Sequence, residues 1–219
     1  MYKQTRNETG QIEEAGIPVE LREFECGCWG KHEPPTIDEG TIIIATGEGY
    51  RSNNHLHGQN LYTIEVDAEN RIALIEMRKY GDMYGAGLWH YLIGVDGAPF
   101  IAQVSSNIDT LDEALESLKP AEVKRAEAAG LEVTRQGDWY FVPVNRTPRG
   151  EVEHDRALDD DHVTEDIVAL KTVTYVRGRV GHEQHAALQL DGWHKAIRNN
   201  AIRTGRLHGG GTARARYTD

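Results

Sequence analysis

Short apolar runs and period-2 alternation dominate the pattern of hydrophobic and polar positions along this chain. Residues 41–46 are short and β-branched, which predicts a buried strand. Residues 61–66 alternate as Leu-Tyr-Thr-Ile-Glu-Val and residues 72–77 are apolar. Asp67-Ala68-Glu69-Asn70 lies between them and suits a hairpin turn. Residues 89–95 and 99–104 read as a second hairpin, turning at Asp96-Gly97. Residues 47–58, rich in Gly, Asn and His, read as a loop. Residues 1–40 carry Pro18, Pro34 and Pro35 without a sustained period, and read as an extended segment with little regular structure.

The period changes once, near the middle. Leu111, Leu115 and Leu118 fall at i, i+4 and i+7, one apolar stripe of a helix. Thr110 and Glu113 form a capping box in front of it. Pro120 stops that helix and suits the first turn of another over residues 121–129, which Gly130 ends. Beyond Gly130 the strand pattern returns at residues 131–134 and 139–144. Residues 146–161 are long, polar and acidic, and read as a surface loop. Residues 167–180, rich in Val, Thr and Tyr, are the best strand region, with a break near Lys171. Residues 187–190 and 193–198 read as two strands joined by the turn Asp191-Gly192.

These elements predict an α+β, β-rich fold, a small barrel- or roll-like sheet with a central helical insert. Four regions follow: an extended segment over 1–40, an α+β region over 41–130, a β-rich region over 131–204, and a flexible basic tail over 205–219.

Composition narrows the class. With 39% hydrophobic and 27% charged residues the chain is globular rather than disordered. No apolar run approaches 18 residues, so no membrane-spanning helix is predicted. The first six residues lack an apolar core, so a secretory signal is not predicted and a cytoplasmic location is. Cys26 and Cys28 are the only cysteines, which excludes a disulfide scaffold. With His32 they make at most half a zinc site.

Charge is unevenly placed. Residues 1–170 hold 15 Lys and Arg against 32 Asp and Glu, whereas residues 171–219 hold 9 against 3. The acidic body argues against nonspecific DNA binding, because each phosphate contact needs a cation. The basic tail reads as a solvated arm, or one that contacts a polyanion or an acidic protein surface.

The chain has 10 histidines, four of them in close pairs. His182 and His185 stand in Gly-His-Glu-Gln-His, directly after the strongest strand. Two imidazoles there, with His162 as a third ligand, point to a divalent metal such as zinc, iron or manganese. Glu165 or His194 completes the set. His55 and His57 form a second candidate pair, in a loop. No nucleophile elbow, phosphate loop or dinucleotide fingerprint is present.

Residues 135–200 resemble a family of uncharacterised phage and mobile-element proteins. The resemblance rests on Arg135-Gln136-Gly137-Asp138 with the strand that follows, Gly150-Glu151-Val152, His162, His182-Glu183-Gln184-His185, and Gly192-Trp193. The family's Gly-His-x-His pair is replaced here by His154 and a single His162. The resemblance implies a viral or mobile-element protein, in a host cytoplasm or a virion, and no particular reaction.

Two functions compete. The first is a metal-binding protein and, if it is an enzyme, a hydrolase in which the metal activates water and Glu165 or Glu183 is general base. The second is a non-catalytic virion structural, assembly or accessory protein. A sequence-specific nucleic-acid reader fits worst, since the two helices are acidic or mixed.

Overall fold

The computed structural model describes residues 9–24, 32–48, 58–80, 87–159, 162–183 and 185–201. The fold is α+β and dominated by strands, with two β-sheets separated in the chain by two helices. Contacts divide the chain into two compact units, one reaching to Ser117 and the other spanning Leu118–Asn200.

The first unit holds α1 (Gly10–Glu14), β1 (Val19–Glu23), β2 (Thr36–Asp38), β3 (Thr41–Glu48), β4 (Gly58–Asp67), β5 (Ile72–Tyr80), β6 (Gly87–Asp96) and β7 (Ala98–Val104). The sheet order is β1-β3-β4-β5-β6-β7, with β2 also on β3. β1 runs parallel to β3, and every other pair is antiparallel. The sheet curls as a half-barrel, bringing β2 and β3 against β7. Alternation fills its concave side: Leu61, Ala73, Ile75, Met77, Tyr91 and Ile93 share one core with Ile42 and Ile44. Ile12 of α1 and Ile17 join it.

Residues 1–40 thus contribute regular structure that their periodicity does not announce. α1 is one turn long and gains its stability from burying Ile12, not from helix propensity. Arg71 fixes the turn after it, donating from Nη2 to the Gly16 carbonyl at 2.6 Å.

Both predicted hairpins form. Asp67 Oδ1 accepts the Asn70 N–H at 3.0 Å in the first, and Gly97 takes φ 71° in the second. α2 (Leu111–Leu118) starts as the cap predicts, with the Glu113 N–H donating to Thr110 Oγ1 at 3.2 Å. The return half of the capping box is displaced, because Glu113 accepts the Asp109 N–H instead. Glu65, at a β4 bulge, accepts the Leu111 N–H at 2.7 Å and so ties α2 to the first sheet.

The second unit holds α3 (Ala121–Ala128), β8 (Thr134–Gln136), β9 (Trp139–Pro143), β10 (Glu153–Ala157), β11 (His162–Ala169), β12 (Thr174–His182) and β13 (Leu188–Arg198). The order is β10-β11-β12-β13-β9-β8, antiparallel throughout. Tyr140 and Val142 pack with Val123 and Ala126 of α3, while Phe141 joins Ile167, Val176, Val180 and Leu190 on the other side.

Three local expectations change here. The acidic stretch 146–161 contains β10, which pairing with β11 creates despite its polarity. Strand β8 begins at Thr134 rather than Leu131, since its register comes from Trp139–Phe141. Asp191-Gly192 is a bulge inside one continuous strand, not a turn between two. Gly192 at φ 84° absorbs the extra residues.

Candidate functional site

The predicted histidines of the second unit do come near one another. His162 opens β11 and pairs directly with His182, the last residue of β12. Their ring centroids are 4.4 Å apart and nearly edge-on, and His182 and His185 are 4.4 Å apart and tilted. Gly137, at φ 56°, leaves the space these rings use, since a Cβ there would sit 3.5 Å from His162 and 3.6 Å from His185.

Proximity does not make a coordination centre. Among the described residues no group of three or more His, Cys, Asp or Glu is placed to hold a metal ion. This corrects the predicted zinc, iron or manganese site at His162, His182 and His185, and the metal-dependent hydrolase that rested on it. The rings meet as ring-on-ring contacts, and the Nδ1 of His162 is already engaged. Both that Nδ1–H and the His162 backbone N–H donate to Asp159 Oδ1 at 2.9 Å. Asp159 also accepts the Trp139 indole N–H at 2.7 Å, so it anchors the β11 start to β9. His162 is buried, and its Nε2 meets no partner among the described residues.

The other candidates fall elsewhere. Glu165 accepts the Arg179 backbone N–H at 2.9 Å and holds the β11–β12 pair, while Glu183 is exposed. His194 is buried and turns its Nδ1 to the Gly192 carbonyl at 3.1 Å. His55, His57, Cys26, Cys28 and the tail 205–219 lie outside the described residues. Asp166 binds Arg177 and His154, and the guanidinium first, then the imidazole, hold its carboxyl below the usual carboxylate range.

A second polar group lies in the first unit around His32, the histidine read in the sequence as part of half a zinc site with Cys26 and Cys28. The His32 ring lies flat on Trp89, with centroids 3.8 Å apart and planes 4° from parallel. Gln59 is buried and its amide is oriented by two carbonyls, since Nε2 donates to Glu33 O at 2.8 Å and Ala45 O at 2.9 Å. Its Oε1 therefore faces His32 Nδ1 at 2.8 Å as an acceptor. That places the imidazole proton on Nδ1 and leaves Nε2 to accept the Tyr91 hydroxyl at 2.6 Å.

Burial pushes His32 down to about 4, with Gln59 opposing and the charge of Lys79 assisting. Burial likewise raises Tyr91 well above its ordinary value. The chain Tyr91–His32–Gln59 is thus neutral, directional and fully bonded at pH 7. Its one sequence signal is the odd-numbered row Ala73, Ile75, Met77, Lys79, a core face that ends in a charge. His32 has no such signal, because it sits in an irregular segment.

No protein-family model, curated protein or solved structure matches the chain. Nothing therefore supports the viral or mobile-element origin expected from residues 135–200, and nothing in the fold supports a cytoplasmic location. Among the described residues no helix is long and apolar enough to cross a membrane.

Proposed function

We propose that the chain is a non-catalytic accessory or assembly protein that docks on a protein partner through the open edge of its second sheet. The observation that carries this is β10. Among the described residues it pairs on one side only, with β11, and all five of its residues are exposed. Exposed Val163, at 51%, and Leu170 lie on or just after the neighbouring strand, and exposed Val152 just precedes β10. An open strand offers unpaired backbone groups, and apolar side chains beside it supply the pockets that set register. The carboxylates nearest this edge act as struts. Asp166 and Asp159 each hold two or more partners.

The test is the double variant Val163→Lys, Leu170→Lys, expressed with a tag beside the wild type in the source organism. Both positions are exposed, so circular dichroism and unfolding should match the wild type. A partner recovered in stoichiometric amount with the wild type should be lost from the double variant and retained by His182→Ala, His185→Ala. A partner that survives the two lysines sinks the reading, and so does a hydrolytic activity abolished by Glu183→Gln.

A further inference from the structure

Asp155 breaks the alternation of β10. It takes φ 49°, in the left-handed region, and the register steps from His154 opposite Asp166 to Arg156 opposite Thr164. Residues three apart therefore share a face. Glu153 stands opposite Ile167 and Arg156 opposite Thr164, both buried, and on that side Arg156 Nε donates to Glu153 Oε2 at 2.8 Å. His154 and Ala157 take the other face. There His154 bonds Asp166 at 2.7 Å, and Ala157 stands opposite Val163.

On that outer face one row crosses three strands. Ala157 of β10, Val163 of β11 and Gly181 of β12 lie side by side. Val163 is half exposed, and the residues on either side of it offer only a methyl and a hydrogen. A Cβ built on Gly181 would meet only the Val163 carbonyl within 4 Å, so the row is open above.

Charged side chains and a bulge keep unmatched strands off such an edge. A strand that pairs with β10 must answer both. Strands lie about 4.8 Å apart, so a residue paired with Ala157 is about 10 Å from Val163. A phenyl or leucyl side chain there spans the Ala157 methyl and rests on Val163. A larger residue at 157 would bar it. On the core-side face, Arg156 spends Nε on Glu153, and a guanidinium carries five donors, so it can take a second carboxylate. Glu153 correspondingly suits a cation.

We propose that the docking partner contributes an antiparallel strand with a large apolar residue seated over Ala157 on Val163, an acid beside Arg156 and a base beside Glu153. This rests on the reading of β10 as the docking edge and adds which strand that edge accepts.

The probes are cyclic β-hairpin peptides closed by D-Pro-Gly turns, so that the outer strand is preformed and loses little entropy on binding. The first carries Phe, Glu and Lys at the positions that face Ala157, Arg156 and Glu153. The second has Ser in place of Phe. The third exchanges Glu and Lys, which keeps composition and net charge. Titration of the isotope-labelled full chain, followed by its amide shifts in NMR, reads site and affinity together.

The first peptide should saturate, with shifts at Ala157 and Val163. Ser for Phe should weaken binding about tenfold or more, the scale of one partly buried aromatic side chain. The exchange of charges should weaken it about threefold, the scale of two cross-strand pairs. Ala157→Leu, at an exposed position, fills the seat from within and should cost the Phe peptide about tenfold while the Ser peptide loses little. Val163→Thr keeps the β-branched shape and should bring the Phe peptide down towards the Ser peptide.

Equal affinity of the Phe and Ser peptides with shifts on β10 overturns the seat and leaves the docking edge standing. Undiminished binding of the Phe peptide to Ala157→Leu does the same. Saturable shifts confined to other strands, or none from any of the three peptides, overturn the proposal, and partner capture with the Val163→Lys, Leu170→Lys variant then judges the edge by itself.

Discussion

Glu165 and Gly178 close against each other across the β11–β12 pair. Glu165 is the residue that the register skips between Thr164 and Asp166. Its carboxylate turns in to accept the Arg179 N–H at 2.9 Å. Gly178, at φ 79°, provides the room, because any Cβ there would strike that carboxylate. A residue predicted as a general base is thus a strut that locks a bulge.

Gly178→Ala meets two penalties at once, a left-handed backbone and a collision with Glu165. It should destabilise the second unit by about 2 kcal/mol. Glu165→Ala should cost about 1 kcal/mol through the lost bond to Arg179. Removing the carboxylate also removes the collision, so the double variant should cost less than the sum. Urea unfolding of the four proteins measures the coupling. Strict additivity would show that the two residues do not share this contact.

His32 makes the first unit sensitive to acid. Its native value of about 4 lies below the ordinary 6.5, so the unfolded chain takes up the proton first. The stability from keeping the ring neutral is complete above about pH 6.5 and is lost as pH falls towards 4. Solvent screening of this partly exposed ring reduces the loss to about 2 kcal/mol. His32→Phe, which keeps a ring against Trp89 but takes no proton, should flatten the curve between pH 6.5 and 4. It should also lower stability at pH 7, because Gln59 and Tyr91 lose their partner. An unchanged slope in this variant would place the acid sensitivity elsewhere.

The histidine contacts of the second unit should not hold zinc. No described group is placed to coordinate it, so the zinc content of a tagless preparation, exposed to zinc and then dialysed, should owe nothing to His182 and His185. His182→Ala, His185→Ala should not change that content. Elemental analysis decides, and one equivalent lost in the variant would restore a metal centre.

Glu76 and His90 form a buried pair on the first sheet, with His90 Nε2 3.1 Å from Glu76 Oε2 and Nδ1 2.7 Å from the Ile108 carbonyl. Both side chains are nearly inaccessible. His90→Leu strands the carboxylate and the carbonyl, with Arg78 left as the ion partner of Glu76. The expected cost is about 3 kcal/mol, the low end for breaking a buried pair. Glu76→Leu, His90→Leu together should recover part of it, as read by chemical denaturation. A double variant weaker than His90→Leu would mean that the Glu76–His90 contact itself stabilises the fold.

Much of the scaffold was legible locally. The two hairpins at Asp67–Asn70 and Asp96-Gly97, the Thr110 cap and the Gly130 stop all rest on residues within a few positions of one another. Strand β10 was not, because Glu153–Ala157 has no apolar alternation and becomes a strand only by pairing with β11. The histidines were half legible. Their spacing at a strand end does bring His162, His182 and His185 into ring contact. Ring contact alone does not make a coordination centre, and no described group of three or more ligands is placed as one.

The strand-rich α+β class, the helical interval and most turns could be read along the chain, because periodicity, caps and glycine conformations act over a few residues. The tertiary structure alone decided what the polar side chains do. Glu165 became a strut, His162 a buried anchor on Asp159, and His32 a neutral ring stacked on Trp89, 57 positions away in the chain. Those outcomes depend on burial and on partners brought together by sheet register, and neither is written in any local window.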